Sequence, residues 1–118
     1  MATHNELGKN GEALAEKHLE ERGYTIICRN WRYTHYEIDI IAIKGKKLHF
    51  IEVKTRRSSY YGYPEESVTK RKFRYLKNAA DQYLYLNPQY RWIQYDVLSI
   101  ILQKNGTPEY FLLEDVFL

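Results

Sequence analysis

Three side chains within residues 36–57 are of types that could do chemistry: Asp39, Glu52 and Lys54. The stretch reads YEIDIIAIKGKKLHFIEVKTRR, two apolar runs around a basic turn at Gly45, which predicts a hairpin of two neighbouring antiparallel strands. Side chains alternate faces along a strand, so Glu52 and Lys54 point the same way, and a suitable register brings Asp39 alongside them. Two carboxylates and an ammonium on one sheet edge are costly to desolvate unless they pair with each other or hold a metal ion. A lone E-x-K is more often the wet side of an amphipathic hairpin. Here residues 37–43 do not alternate cleanly and read as an inner strand covered on both faces. Carboxylates in such a strand point to a site.

The elements around this hairpin must position those groups. Thr3-His4-Asn5-Glu6 fits a capping box and opens a helix to about residue 22. Leu7, Gly11, Leu14, His18 and Leu19 form its buried stripe, with His18 expected at the core edge. Gly8, Gly11 and Ala15 keep that stripe thin, so the helix can approach a sheet closely. Glu12 lies on the thin side and can look along the sheet at Asp39 and Glu52; alternatively it is a solvent-facing acid favoured by the helix dipole. Glu16 and Glu20 point further out.

Gly23 ends the helix. Residues 24–30 make a first strand, followed by a polar link holding Trp31, Arg32 and Tyr33. After the hairpin, residues 58–64 form an aromatic loop whose tyrosines could stack on bases or pack the loop down. A second helix runs from about residue 65 or 67 to 86, burying Val68, Leu76, Ala79, Ala80 and Tyr83. Lys72 falls on the same line, where it could snorkel or reach the acidic cluster or a phosphate. Arg71, Arg74 and Lys77 spread over the outer flanks. Asn87-Pro88 stops the helix, residues 92–102 form a strand containing Asp96, and Asn105-Gly106 turns the chain into a last strand over 110–113. The order is α-β-β-β-α-β-β.

The totals narrow the class. At 118 residues the chain is expected to form one domain. Its single cysteine, Cys28, excludes an internal disulfide and a CxxC-type zinc site, and its apolar neighbours suggest a buried free thiol. No signal peptide is read ahead of the first helix, and no apolar run approaches the roughly 20 residues of a membrane helix, so a cytoplasmic location is expected. The net charge of +3 is uneven. Residues 44–77 hold eleven Lys or Arg against three acids, whereas residues 95–118 hold one Lys against four acids. A basic half around the candidate site suggests a polyanionic partner.

This order of elements, with Glu on the first helix, Asp in the second strand and Glu-x-Lys in the third, resembles the PD-(D/E)xK restriction-endonuclease-like superfamily. Gly8-x-x-Gly11-Glu12, Gly23-Tyr24, Asn30-x-Arg32, Glu37-Ile38-Asp39-Ile40-Ile41-Ala42, Glu52-Val53-Lys54-Thr55-Arg56, Gly62-x-Pro64, Val68-x-x-x-Lys72 and Tyr95-Asp96-Val97 look like the YraN-like bacterial family, itself similar to Holliday-junction resolvases. The match covers residues 8 to about 100. Tyr36 stands where that family usually has Gly, and Gln94 where Arg often precedes the aromatic-Asp pair.

The resemblance implies an α/β, restriction-endonuclease-like αβββαβ core, with a mixed central sheet flanked by helices and an extra C-terminal strand. It implies Mg²⁺- or Mn²⁺-dependent hydrolysis of DNA phosphodiester bonds, with branched or structured DNA among the candidate substrates. Asp39, Glu52 and the Val53 carbonyl would be the hard oxygen ligands, and the metal would act as Lewis acid on the phosphate and lower the pKa of its water. Lys54 would position or deprotonate that water, or neutralise charge on the phosphoryl group, and Glu12 would complete the site. Arg56, Arg57, Lys70, Arg71 and Lys72 would contact phosphates without sequence choice. The alternative is a non-catalytic nucleic-acid-binding protein that keeps the nuclease fold. Paired cuts at a junction would need a homodimer, for which residues 110–113 and 116–118 offer apolar surface.

Overall fold

The structure, a computed structural model, describes residues 4–57 and 69–116, with side chains from residue 10 onward. The expected capping box, the contacts of Leu7 and Gly8, the tyrosine loop with Val68, and Phe117 and Leu118 lie outside the described side chains. The elements follow the order α1 (His4–Glu21), β1 (Thr25–Tyr33), β2 (Tyr36–Lys44), β3 (Lys47–Arg56), α2 (Lys70–Leu86), β4 (Ile93–Leu102) and β5 (Pro108–Leu113). The fold is α/β: a five-stranded sheet in the order β1-β2-β3-β4-β5, antiparallel except for the parallel β3–β4 pair. A parallel pair cannot be joined by a hairpin, and α2 supplies the crossover. The arrangement is consistent with a nuclease-like core.

Local chemistry fixes the hairpin. Gly45 takes φ 64°, in the left-handed region, between Lys44 and Lys47, which pair across the turn. β4, IQYDVLSIIL, is an apolar run between β3 and β5 and is buried along most of its length, as a central strand requires. The two faces of the sheet carry separate cores. Under α1, Ala15 and Leu19 pack with Ile40, Ala42, Ile51, Leu98 and Ile100. Under α2, Phe73, Leu76, Ala79, Ala80 and Tyr83 pack with Ile38, Ile41, Leu48 and Phe50. His18 lies at the edge of the α1 core, stacked on Tyr110 at 3.9 Å, with burial lowering its pKa.

Two boundaries and two burials differ from expectation. β1 continues through Trp31, Arg32 and Tyr33 to the two-residue turn Thr34-His35, because Trp31 stacks on Tyr83 of α2 at 5.4 Å. α2 begins at Lys70 rather than at 65 or 67: Thr69 is extended (φ −99°, ψ 163°), and its hydroxyl accepts a hydrogen bond from the Lys72 amide at 3.1 Å, as an N-cap does. Phe73 then takes the buried place, and Lys72 is exposed. Cys28 is a free thiol but only half-buried. Among the described residues no helix is long and apolar enough to cross a membrane.

Candidate functional site

The site begins with a close approach. A Cβ built on Gly11 would lie 1.9 Å from the Thr55 hydroxyl oxygen and 2.9 Å from its Cβ. Only a residue without a side chain lets α1 cross β3 at this distance, and the contact sets the height of the next residue, Glu12, above the sheet. Glu12 lines a cavity of about 200 Å³ together with Asn30 and Asp39, so the helix carboxylate does face the hairpin. Glu16 lines the same cavity, paired with Arg29, rather than pointing away.

Asp39 sits where β2 slips. Ile40 and Ala42 pack under α1 and Ile41 under α2, so regular alternation would send Ile38 towards α1, yet Ile38 belongs to the α2 core. The β2–β3 ladder ends at the Ile40–Ile51 pair. Beyond it Asp39 Oδ2 accepts the Val53 amide hydrogen at 2.8 Å, so a side-chain oxygen takes the place of a strand carbonyl. Opposite Asp39 on β1, Asn30 adopts φ 49°, a left-handed conformation that Asn tolerates better than most residues. Its amide lies between the carboxylates of Glu12 and Glu37, at 3.1 Å from each with the amide nitrogen turned towards them.

Burial pushes the Asp39 carboxyl up to about 7; the Val53 amide works against this, and Glu52, Glu37 and Glu12 add to it. A carboxylate in this setting is destabilised by desolvation and by like charge together. Glu52 and Lys54 lie on the same face, as alternation requires, with Lys54 Nζ 3.2 Å from Glu52 Oε1. That face looks towards α2, where Lys72 stands close enough to Lys54 for the two amines to influence each other's protonation. Contact with Lys54 lowers the Lys72 pKa. Burial opposes the Lys54 charge, but Lys72 as partner and the carboxylates of Glu52 and Asp39 outweigh it, so its pKa is raised.

The sequence-derived residues therefore meet at the end of one hairpin but open to two sides. Glu12 and Asp39 line the α1-side cavity; Glu52 and Lys72 line a smaller one on the α2 side, with Glu37. Along the outer flank, Lys70, Arg71, Lys72, Arg74 and Lys77 are all exposed, while Arg56 is half-buried at the end of β3 and Arg57 is exposed beyond it. Asp39 and Glu52 carry hard oxygen donors of the kind a divalent cation takes, but they line different cavities. Among the described residues no three His, Cys, Asp or Glu side chains stand together as a finished ligand set, in keeping with the split between the two cavities.

Asn30 and Glu37 appear in the motifs, but pattern gave them no role. Asn30 braces two carboxylates and Glu37 adds to the charge around Asp39. The signal for Asn30 was its type, since an Asn inside a strand marks a left-handed kink. Asp96, by contrast, serves the fold: fully buried, it meets His49 Nδ1 at 2.6 Å, the Gln94 amide at 2.8 Å and the Asp115 backbone N–H at 3.0 Å. Gln94 also accepts from Lys47 at 3.2 Å, so the Gln that departs from the family pattern is a satisfied member of this network.

The mixed sheet flanked by two helices, with carboxylates and a lysine on its hairpin, makes this an α/β protein whose arrangement is consistent with a nuclease-like core. The chain belongs to the uncharacterised protein family UPF0102, whose model matches residues 11–100; this is the YraN-like family its motifs resemble. A UPF0102 protein of Bacteroides thetaiotaomicron is 45% identical over 101 residues, covering 86% of this chain and 84% of its own length. Others from Syntrophomonas wolfei and Dictyoglomus thermophilum are 44% and 43% identical over 99 and 102 residues, covering 83% and 86% of this chain and 86% of each relative.

Proposed function

We propose that this protein is a metal-dependent endonuclease that hydrolyses DNA phosphodiester bonds, with branched or structured DNA as its substrate class. The observation that carries this reading is Asp39. A desolvated carboxyl pushed up to about 7 and surrounded by Glu12, Glu37 and Glu52 costs stability, and one amide hydrogen bond does not repay it. Perturbed acids beside a lysine and a cavity are the mark of a working site.

In this reading Asp39, Glu52 and the Val53 carbonyl hold Mg²⁺ or Mn²⁺, and the ion supplies Lewis acidity and a water of lowered pKa. Lys54, its charge favoured by Glu52, presents a donor to the phosphoryl oxygens or orients the attacking water. Glu12, held by the Gly11–Thr55 contact and by Asn30, fixes the other side of the site. Lys72 stands beside Lys54 as a further donor, its own charge disfavoured by that contact. The exposed row Lys70, Arg71, Arg74 and Lys77 gives affinity for phosphates irrespective of base sequence.

The test is cleavage of end-labelled single strands, duplexes, forks and four-way junctions with Mg²⁺ or Mn²⁺. Wild type should cut, and Asp39→Asn, Glu52→Gln and Lys54→Met should each lose at least 100-fold while keeping a cooperative melt, a loss typical of removing one group from an electrostatic site. Cleavage surviving both carboxylate substitutions would sink the assignment. The alternative, a binder without turnover, rests on the exposed basic row alone; it predicts salt-sensitive DNA binding and no cut with any divalent ion.

A further inference from the structure

Next to Glu52 and Lys72, on the α2 side of the sheet, lies a cavity of about 140 Å³ walled by His35, Tyr36, Glu37, Tyr75 and Leu76. We propose that it is a subsite for one unpaired nucleobase of the bound DNA, a reading that rests on the nucleic-acid function proposed above and narrows its substrate. Three aromatic rings converge there from two elements. His35, in the β1–β2 turn, stands 4.2 Å from Tyr36 with the planes opened to 40°, and 5.6 Å from Tyr75 of α2 at 89°. Tyr36 and Tyr75 are 5.1 Å apart at 57°.

These rings are tilted rather than closed into a stack, and the His35 side chain is exposed while both tyrosines are half-buried. Aromatic faces left open to solvent beside charged groups are the platforms on which bases stack, whatever their sequence. The rest of the wall suits a base edge. Glu37 and Glu52 offer acceptors and Lys72 a donor, so exocyclic amines and ring carbonyls both find partners. Arg71 lies over Tyr75, 5.6 Å from its ring centre, and donates to the Tyr75 hydroxyl at 3.1 Å, which ties the subsite to the phosphate-binding flank.

The cavity is too small for a base pair, and paired bases already spend their faces on neighbours in the duplex. Only an unpaired base, in a flap, gap or junction arm, can offer one. Because the Glu52 carboxylate is shared between this wall and the pair with Lys54, a base seated here holds the adjoining phosphate against the lysines.

The experiment uses the full chain in EDTA, so that binding is read without cleavage. A forked DNA carries 2-aminopurine at successive positions of its single-stranded arm, and a blunt duplex of the same composition serves as control. Fluorescence should be quenched at one arm position. His35→Ala and Tyr36→Ala should each relieve that quenching and weaken fork binding roughly tenfold, the scale of losing one base–aromatic stack, while duplex binding changes less than twofold. Tyr36→Phe should behave as wild type. His35→Ala is the deciding variant if Tyr36→Ala melts early, since His35 is exposed. Quenching at no position, or equal losses on fork and duplex, would overturn the subsite alone. Failure of the wild type to bind either DNA would overturn the nucleic-acid reading itself, and the subsite with it.

Discussion

Replacing Asp39 by Asn should stabilise the metal-free protein, and more so as pH rises. The Asp39 carboxyl is held at about 7 in the folded state against 3.8 as its ordinary value. Between those values the native state keeps a proton that the unfolded chain releases, so wild-type stability falls as pH rises from about 4 to about 7 and levels off above that. Each unit is worth 1.36 kcal/mol, so the part of the window above pH 5 corresponds to about 2–3 kcal/mol. An Asn side chain keeps the oxygen that accepts the Val53 amide hydrogen and does not ionise. The stability difference, Asn variant minus wild type, should therefore grow by about 2–3 kcal/mol between pH 5 and pH 8. The assay is urea unfolding in EDTA at both pH values, with thermal melts as a second measure; a shift of this size moves a midpoint by on the order of 10 °C. Addition of Mg²⁺ or Mn²⁺ at pH 8 should raise the wild-type midpoint and leave the variant unchanged. A difference that stays flat from pH 5 to pH 8 would refute the claim that a desolvated, crowded acid sits at position 39.

Other expectations follow from interactions elsewhere. Gly11→Ala, which in an open helix would gain about 1 kcal/mol, should instead cost about 1–3 kcal/mol through overpacking on Thr55, with Thr55→Ala restoring only part because the Thr55 Cβ is itself 2.9 Å from the added atom; chemical denaturation reads both. Asp96→Ala should cost about 3 kcal/mol, since it strips the buried His49, Gln94 and the Asp115 amide of a shared partner; an unchanged urea midpoint would remove that network from the account. Substituting Lys70, Arg74 and Lys77 together with Gln should flatten the dependence of DNA affinity on salt, by about one unit of log–log slope for each phosphate left without a cation, measured by fluorescence anisotropy from 50 to 200 mM salt.

The hairpin was legible because its signals are local: a glycine turn, two apolar runs and alternation that puts Glu52 and Lys54 on one face. The thin side of α1 could also be read, since Gly11 and Ala15 recur at helical spacing near Glu12. The slip at Asp39 could not, because it depends on a kink at Asn30 in a neighbouring strand and on the backbone of Val53, both distant in sequence. For the same reason the sequence does not reveal the last three residues of β1: Trp31 stays in the sheet by stacking on Tyr83, a contact no window spans. Helical spacing from Val68 passes through Lys72 at every fourth residue, whereas Phe73, one position on, fills the core. The aromatic cavity was invisible for a further reason. His35 and Tyr36 meet Tyr75 only once α2 has packed across the sheet.

The kinked first strand has a consequence for how the molecule behaves in a crowded cell. Among the described residues β1 is an edge strand of the sheet, and a straight edge invites another chain to add a strand. Here the register shifts between Ile26 and Cys28, Asn30 turns left-handed, and exposed Arg29 and Arg32 flank that turn. Bulges and charges of this kind are how natural sheets refuse such pairing. Straightening the strand, for example with Asn30→Val, would release the brace on Glu12 and Glu37 and would also leave a flatter, stickier border. The kink that shapes the acidic centre is therefore also a guard against aggregation.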